Sequence, residues 1–136
     1  MTESMAQDSG IEKGGLAAIV LAAGLGTRMR SARAKVLHEI GGAAMVTRVI
    51  RALETAGAAP IVAVTGYQGR EVEAAVRAAA ASAQIAIAIQ AEPRGTGDAA
   101  RAGIAALPPD YAGDVLIAYG DMPMLTAATL GEFLDA

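Results

Sequence analysis

The sequence predicts an α/β fold built on a doubly wound, mainly parallel sheet, and three observations lead there. Short apolar runs alternate with helix-like segments along the whole chain. The apolar content, 54% of 136 residues, comes from Ala, Val, Ile and Leu, with only 3% aromatics. Small aliphatic side chains of that kind suit packing between helices and a parallel sheet. A glycine-rich stretch directly follows the first apolar run, at the strand edge where open α/β sheets bind ligands.

The elements follow in order. Residues Met1 to Gly15 mix Ser, Glu, Gln, Asp and Gly without apolar periodicity, so a disordered tail is expected over 1–15 and one domain over 16–136. Strands are expected at Leu16–Ala22, Ile61–Thr65, Ile85–Ile89 and Val115–Tyr119, each short, largely apolar and bounded by Gly, Pro or polar residues. They read as four buried parallel strands. Helices are expected at Met45–Ala56, Glu71–Ala81 and Asp98–Ala106, where apolar positions such as Val46, Val49, Ile50 and Leu53 recur at helical spacing. Gly57 is placed to stop the first helix, Pro108-Pro109 closes the third, and Thr126 is placed to cap a last one. The order is βαβαβαβα.

Composition excludes several function classes. A net charge of −3 with eleven scattered Lys and Arg offers no basic stripe for a nucleic-acid backbone. With no Cys, disulfides, thiolate zinc sites and thiol nucleophiles are ruled out. The apolar run Leu16–Ala23 is far too short to span a bilayer and is preceded by acids and a single Lys13, so a soluble, cytoplasmic protein without a membrane partner is expected.

Three segments can carry chemistry. Leu21-Ala22-Ala23-Gly24-Leu25-Gly26-Thr27-Arg28-Met29 places a glycine loop after the first strand: Gly24 and Gly26 let backbone N–H groups approach phosphate, and Arg28 adds a forked cation. It is not a G-x-x-x-x-G-K-[ST] loop, and Met29 stands where a dinucleotide fingerprint needs its third Gly. A tight turn with a surface Arg is the plainer alternative. Lys35, in Ala34-Lys35-Val36-Leu37-His38, could complete a cationic pocket for a triphosphate or be a solvated surface residue. The single His38, without a Ser or Cys partner, is given no catalytic role.

The second segment, Tyr119-Gly120-Asp121-Met122-Pro123, ends the fourth strand on the same edge, where Asp121 is placed to hold a hard divalent cation such as Mg²⁺ or simply to shape a turn. The third runs from Gln90 to Ala99 and opens a helix. Gln90 can donate and accept at a base edge, and Gly95 and Thr96 present backbone groups at a helix N-terminus. An ordinary capped βα loop, with Asp98 favoured by the helix dipole, would look the same.

Taken together, the Leu21–Met29 loop, Lys35-Val36-Leu37-His38 with Ile40-Gly41-Gly42, Gln90 and Tyr119-Gly120-Asp121 resemble the N-terminal uridylyltransferase domain of the bifunctional N-acetylglucosamine-1-phosphate uridylyltransferases/glucosamine-1-phosphate acetyltransferases, a MobA-like NTP transferase domain. The resemblance runs from Leu16 to Ala136. It implies a Rossmann-like sheet of the nucleotide-diphospho-sugar transferase type, incomplete at the C-terminus, because the family's remaining strands, second metal ligand, sugar-binding residues, β-helix acetyltransferase domain and trimer contacts would lie beyond Ala136. A homo-oligomer is expected only of a full-length enzyme.

The activity implied is transfer of uridylyl from UTP to N-acetylglucosamine 1-phosphate, giving UDP-N-acetylglucosamine for cell-wall (peptidoglycan) synthesis and pyrophosphate. By the same resemblance, Leu21, Ala22, Ala23, Gly24, Gln90, Gly95, Thr96, Tyr119 and Gly120 would bind UTP, Arg28 and Lys35 would act on its phosphates, and Asp121 would hold Mg²⁺. The chain departs from the family at Pro93, commonly Gln, and Asp98, commonly His. Two other readings compete: a related nucleotidyltransferase with another acceptor, such as molybdopterin or glucose 1-phosphate, and a non-catalytic nucleotide-binding remnant.

Overall fold

A computed structural model of the chain describes residues 15–23, 35–66, 69–81, 84–90, 95–122 and 126–135. Four parallel strands make the main sheet: β1 Leu16–Leu21, β4 Ile61–Thr65, β5 Ile85–Ile89 and β6 Asp114–Tyr119. A 3₁₀ turn at Lys35–Leu37 and a two-strand ribbon, β2 Glu39–Ile40 with β3 Ala43–Ala44, precede helix α1, Met45–Thr55. Helices α2 Arg70–Ala79, α3 Thr96–Ala105 and α4 Ala127–Asp135 complete the set. Across the main sheet the strands run β5-β4-β1-β6, so the chain moves outward from β1 to β5 and then crosses back to place β6 on the other side of β1.

Strand alternation divides the core into two layers. Ala18 and Val20 of β1, with Ile61 and Ala63 of β4, pack under Val46, Val49, Ile50 and Leu53 of α1, Val72 and Val76 of α2, and Leu130 of α4. Ile19 and Leu21, with Val62 and Val64, face the other way against Ala99 of α3. Neighbouring residues on a strand point to opposite faces, so both layers are filled by the same two strands. Burial of each large aliphatic side chain contributes about 1.5–3 kcal/mol. Helix α3 comes especially close. A Cβ added at Gly103 would stand 2.4 Å from Ile19 Cγ2 and 3.0 Å from Val64 Cγ2.

Local stops behave as the residue chemistry dictates. Gly57 adopts φ +94° just after α1, and the Thr126 hydroxyl accepts the Thr129 N–H at 3.1 Å at the start of α4. Helix α2 ends at Ala79, two residues short of the expected Ala81. Ala80 turns extended, and the Ala81 N–H is taken by the Glu54 carboxylate of α1 at 3.0–3.1 Å. Helix α3 starts at Thr96 rather than Asp98, with Gly95 at φ +102° turning the chain into it.

One element was not expected, and one expectation needs correction. The ribbon over 39–44 carries no strand signal in sequence; its Gly41-Gly42 turn sits at φ +64° and +86°, and the Arg48 guanidinium of α1 donates to the carbonyls of Ile40 and Gly41, both at 2.9 Å. Neither outer strand of the sheet is fully buried: in β5 Ile85 and Ile87 are half-buried and Ile89 is exposed, and β6 is more open still. Val115, Ile117 and Tyr119 pair with Ala17, Ile19 and Leu21 and therefore share α3's face of the sheet, yet α3 covers β1 and β4, leaving all three exposed. Of the expected tail, residues 1–14 lie outside the described part, and the Gly15 carbonyl accepts the Asp114 N–H at 3.1 Å.

Candidate functional site

All four strands of the main sheet are parallel, so their C-terminal ends form one edge, and three of the segments marked in the sequence meet it. Strand order reverses between β1 and β6, the first strand having been extended outward on one side and then flanked on the other. In open α/β sheets ligands bind in the crevice outside the carboxyl ends of the strands at such a reversal. Here α1 and α4, the helices that follow β1 and β6, both pack on the same face of the sheet. Leu21 and Tyr119 end these strands as register partners, and the Gly120 N–H donates to the Leu21 carbonyl at 2.9 Å. The loop after β1 and the turn carrying Asp121 therefore start side by side.

Leu21 and Ala22 are buried, Ala23 is half-buried, and the Ala22 N–H is held by the Val64 carbonyl at 2.9 Å. Gly24 and Arg28 lie outside the described residues, as does the side chain of Lys35. The Lys35 backbone begins the 3₁₀ turn, whose Val36 and Leu37 are anchored in the core. A Cβ at Gly120 would meet Val36 Cγ1 at 3.1 Å and the Leu21 carbonyl at 3.2 Å, so this turn packs directly against the end of β6. Gly66, after β4, comes as close to the Ala23 carbonyl, a contact the sequence did not reveal; a Cβ there would lie 3.2 Å from it. Small residues along this edge hold backbone against backbone.

Gln90 leaves the end of β5, its N–H bound by the Thr65 carbonyl at 2.8 Å, and its side chain is buried to 8% exposure. Its Nε2 donates to the Gly95 carbonyl at 3.3 Å and to Asp98 Oδ2 at 3.1 Å. Gly95 and Thr96 are exposed at the start of α3, where first-turn N–H groups have no intrahelical acceptor. From β5 to β6 the edge spans three strand spacings, or about 15 Å. Gln90 and Asp121 thus occupy opposite ends of a shelf long enough for an extended nucleotide. Tyr119 adds an exposed ring on α3's face.

Asp121 is half-buried in the turn after β6. Among the described residues no group of three or more metal-capable side chains gathers. A single strand-end carboxylate does fit Mg²⁺, which is usually held by one or two carboxylates with phosphate oxygens and water completing its shell. His38 Nε2 is buried with no hydrogen-bond partner among the described residues, and nothing ties it to this edge. The Tyr111 phenol lies at the opposite end of the sheet, where it donates to the Asp114 carbonyl at 2.8 Å. No described helix is long and apolar enough to cross a membrane.

Comparison with known proteins agrees with this fold. The bifunctional protein GlmU of Anaeromyxobacter sp. (strain Fw109-5) is 48% identical over 121 residues, covering 89% of this chain and 25% of that protein. The chain thus spans a quarter of the length of this curated relative. A nucleotidyl transferase from Methanothermobacter thermautotroptrophicus superposes with a TM-score of 0.66 at 27% identity, over 89% of this chain and 57% of that one. The 4-diphosphocytidyl-2C-methyl-D-erythritol synthase of Anaerococcus prevotii DSM 20548 superposes with a TM-score of 0.69 over 90% of this chain and 51% of that one; at 15% identity it shares the fold alone. The family model described as the MobA-like NTP transferase domain matches residues 18–136, and the chain belongs to that family.

Proposed function

We propose that this chain provides the nucleotide-binding part of a site that transfers uridylyl from UTP to N-acetylglucosamine 1-phosphate, releasing pyrophosphate. The observation that carries the reading is the strand reversal between β1 and β6, with the Leu21 carbonyl bonded to the Gly120 N–H and both candidate loops leaving from that pair. The choice of UTP and of the sugar phosphate rests on the resemblance of the loop motifs and on the similarity to GlmU proteins.

In this reading Gln90 contacts the base edge, and Gly95 and Thr96 offer first-turn N–H groups to the nucleotide. Leu21, Ala22, Ala23, Gly24, Tyr119 and Gly120 frame it, while Arg28 and Lys35 bind and neutralise its phosphates. Asp121 would hold Mg²⁺, which when bound supplies charge neutralisation on the triphosphate. A phosphate oxygen of the sugar phosphate attacks the α-phosphorus, a new P–O bond forms, and the bond to the β-phosphate oxygen breaks with pyrophosphate leaving in line. No covalent enzyme intermediate is required. The protein contributes position and fixed positive charge rather than a nucleophile of its own. A protein that consumes UTP would work in the cytoplasm, and its product would feed cell-wall synthesis.

Calorimetric titration with UTP, CTP and GTP in the presence of Mg²⁺ tests the nucleotide, and pyrophosphate release with added N-acetylglucosamine 1-phosphate tests the reaction. Preferential UTP binding with acceptor-dependent release supports the proposal. UTP binding without release makes the chain a binding module, and preference for another nucleotide overturns the choice of UTP.

A further inference from the structure

Gln90 is the buried polar side chain at the end of β5, and what surrounds its amide decides what it can read. Both partners of Nε2, the Gly95 carbonyl at 3.3 Å and Asp98 Oδ2 at 3.1 Å, are acceptors with no hydrogen to give. The chemistry of the neighbours, rather than the placement of two nearly identical atoms, therefore sets which end of the amide faces α3. A flipped amide would set its oxygen against a carboxylate and a carbonyl, losing two hydrogen bonds and adding repulsion. With the two Nε2 hydrogens so engaged, the group has an acceptor, Oε1, to offer a ligand.

We propose that Asp98 is a specificity-determining positioning residue: it locks the Gln90 carboxamide so that the site accepts a hydrogen bond from the base, favouring a ring N–H donor. Uracil presents N3–H at that place, whereas cytosine presents a bare N3 acceptor. An unlocked glutamine could turn either end outward and serve both. The placement of Asp98 supports this, because it sits in the first turn of α3, a position that suits an acidic side chain, and Gly95 at φ +102° brings that turn back over Gln90. The inference rests on the reading of Gln90 as the base contact.

The test is calorimetric binding of UTP and CTP, with Mg²⁺, to the full chain and to Asp98→Asn, Asp98→Ala and Gln90→Ala, with thermal unfolding to confirm that each variant folds. Asp98→Asn keeps the shape but can donate as well as accept, so it no longer dictates the orientation. The UTP-to-CTP affinity ratio should fall about ten-fold in Asp98→Ala, the scale of one lost charge-assisted hydrogen bond, and by a smaller factor in Asp98→Asn. Binding of 3-methyluridine triphosphate, which lacks the N3 hydrogen, should be as weak as that of CTP in the parent chain. If Gln90→Ala abolishes the ratio while both Asp98 variants keep it, the lock is refuted and the base contact stands. If the parent shows no preference for UTP, or Gln90→Ala retains it, the base contact itself fails and the lock falls with it.

Discussion

Replacing Gly103 by Ala tests how closely α3 must lie on the sheet. In a solvent-exposed helix this exchange gains up to about 1 kcal/mol, because Gly gives up more backbone freedom on folding. Here the new Cβ would stand 2.4 Å from Ile19 Cγ2, 3.0 Å from Val64 Cγ2 and 3.2 Å from Ile19 Cδ1. Carbon atoms rest comfortably at about 3.5–4.0 Å, so the helix must rise or Ile19 must move by about 1 Å. Neither is easy. Ile19 and Val64 are both fully buried and branched at Cβ, which leaves them few alternative rotamers. Overpacking of this kind costs about 1–3 kcal/mol, and with three methyl groups of two side chains struck at once the upper part of that range applies. Net of the helix gain, Gly103→Ala should lose about 1–2 kcal/mol.

Urea unfolding followed by circular dichroism measures the change, with Gly131→Ala as the internal control. Nothing lies within 4 Å of a Cβ added at Gly131 in α4, so the same exchange should stabilise the chain there by up to about 1 kcal/mol. Opposite signs at the two positions are the expected result. Equal stabilisation at both would refute the close seating of α3. Because α3 carries Gly95, Thr96 and Asp98, lifting it should also weaken nucleotide binding, while Gly131→Ala leaves binding alone.

The remaining predictions concern the candidate site and the far end of the sheet. Asp121→Ala should abolish Mg²⁺-dependent turnover, measured as pyrophosphate release, with an unchanged circular dichroism spectrum; near-normal turnover would remove Asp121 from the metal site. Arg28→Ala should lower turnover more than it lowers UTP affinity, as expected of a group acting on charge that develops in the transition state, and equal losses would make it a plain binding residue. Burial pushes the Tyr111 phenol above its ordinary value of 10.0; the Asp114 charge adds to the rise and a backbone hydrogen bond at Ala17 opposes it. A raised folded value contributes stability that is complete below about pH 10 and is lost as pH climbs through it. Tyr111→Phe should therefore flatten the fall in stability above pH 10, and an unchanged alkaline slope would count against that coupling.

Much of the fold was legible in the sequence because its signals are local. Short apolar runs marked the four strands, helical spacing marked the buried face of α1, Gly57 and Thr126 marked helix ends, and the segments at Leu21–Ala23, Gln90 and Tyr119–Asp121 were placed on one strand edge. These depend on a residue and its nearest neighbours along the chain. What sequence could not supply was decided between segments far apart. The order β5-β4-β1-β6 puts the strand reversal between Leu21 and Tyr119, 98 positions apart, and no local pattern encodes that pairing. The continuous apolar run of β6 reads as a buried strand, but burial depends on what lies above it, and α3 covers β1 and β4 instead. Helix α2 ends early because a carboxylate from α1 takes its next amide. The bond from Gln90 to Asp98 likewise needed the loop to fold back on itself, since an amide's orientation is set by the acceptors that tertiary structure brings to it.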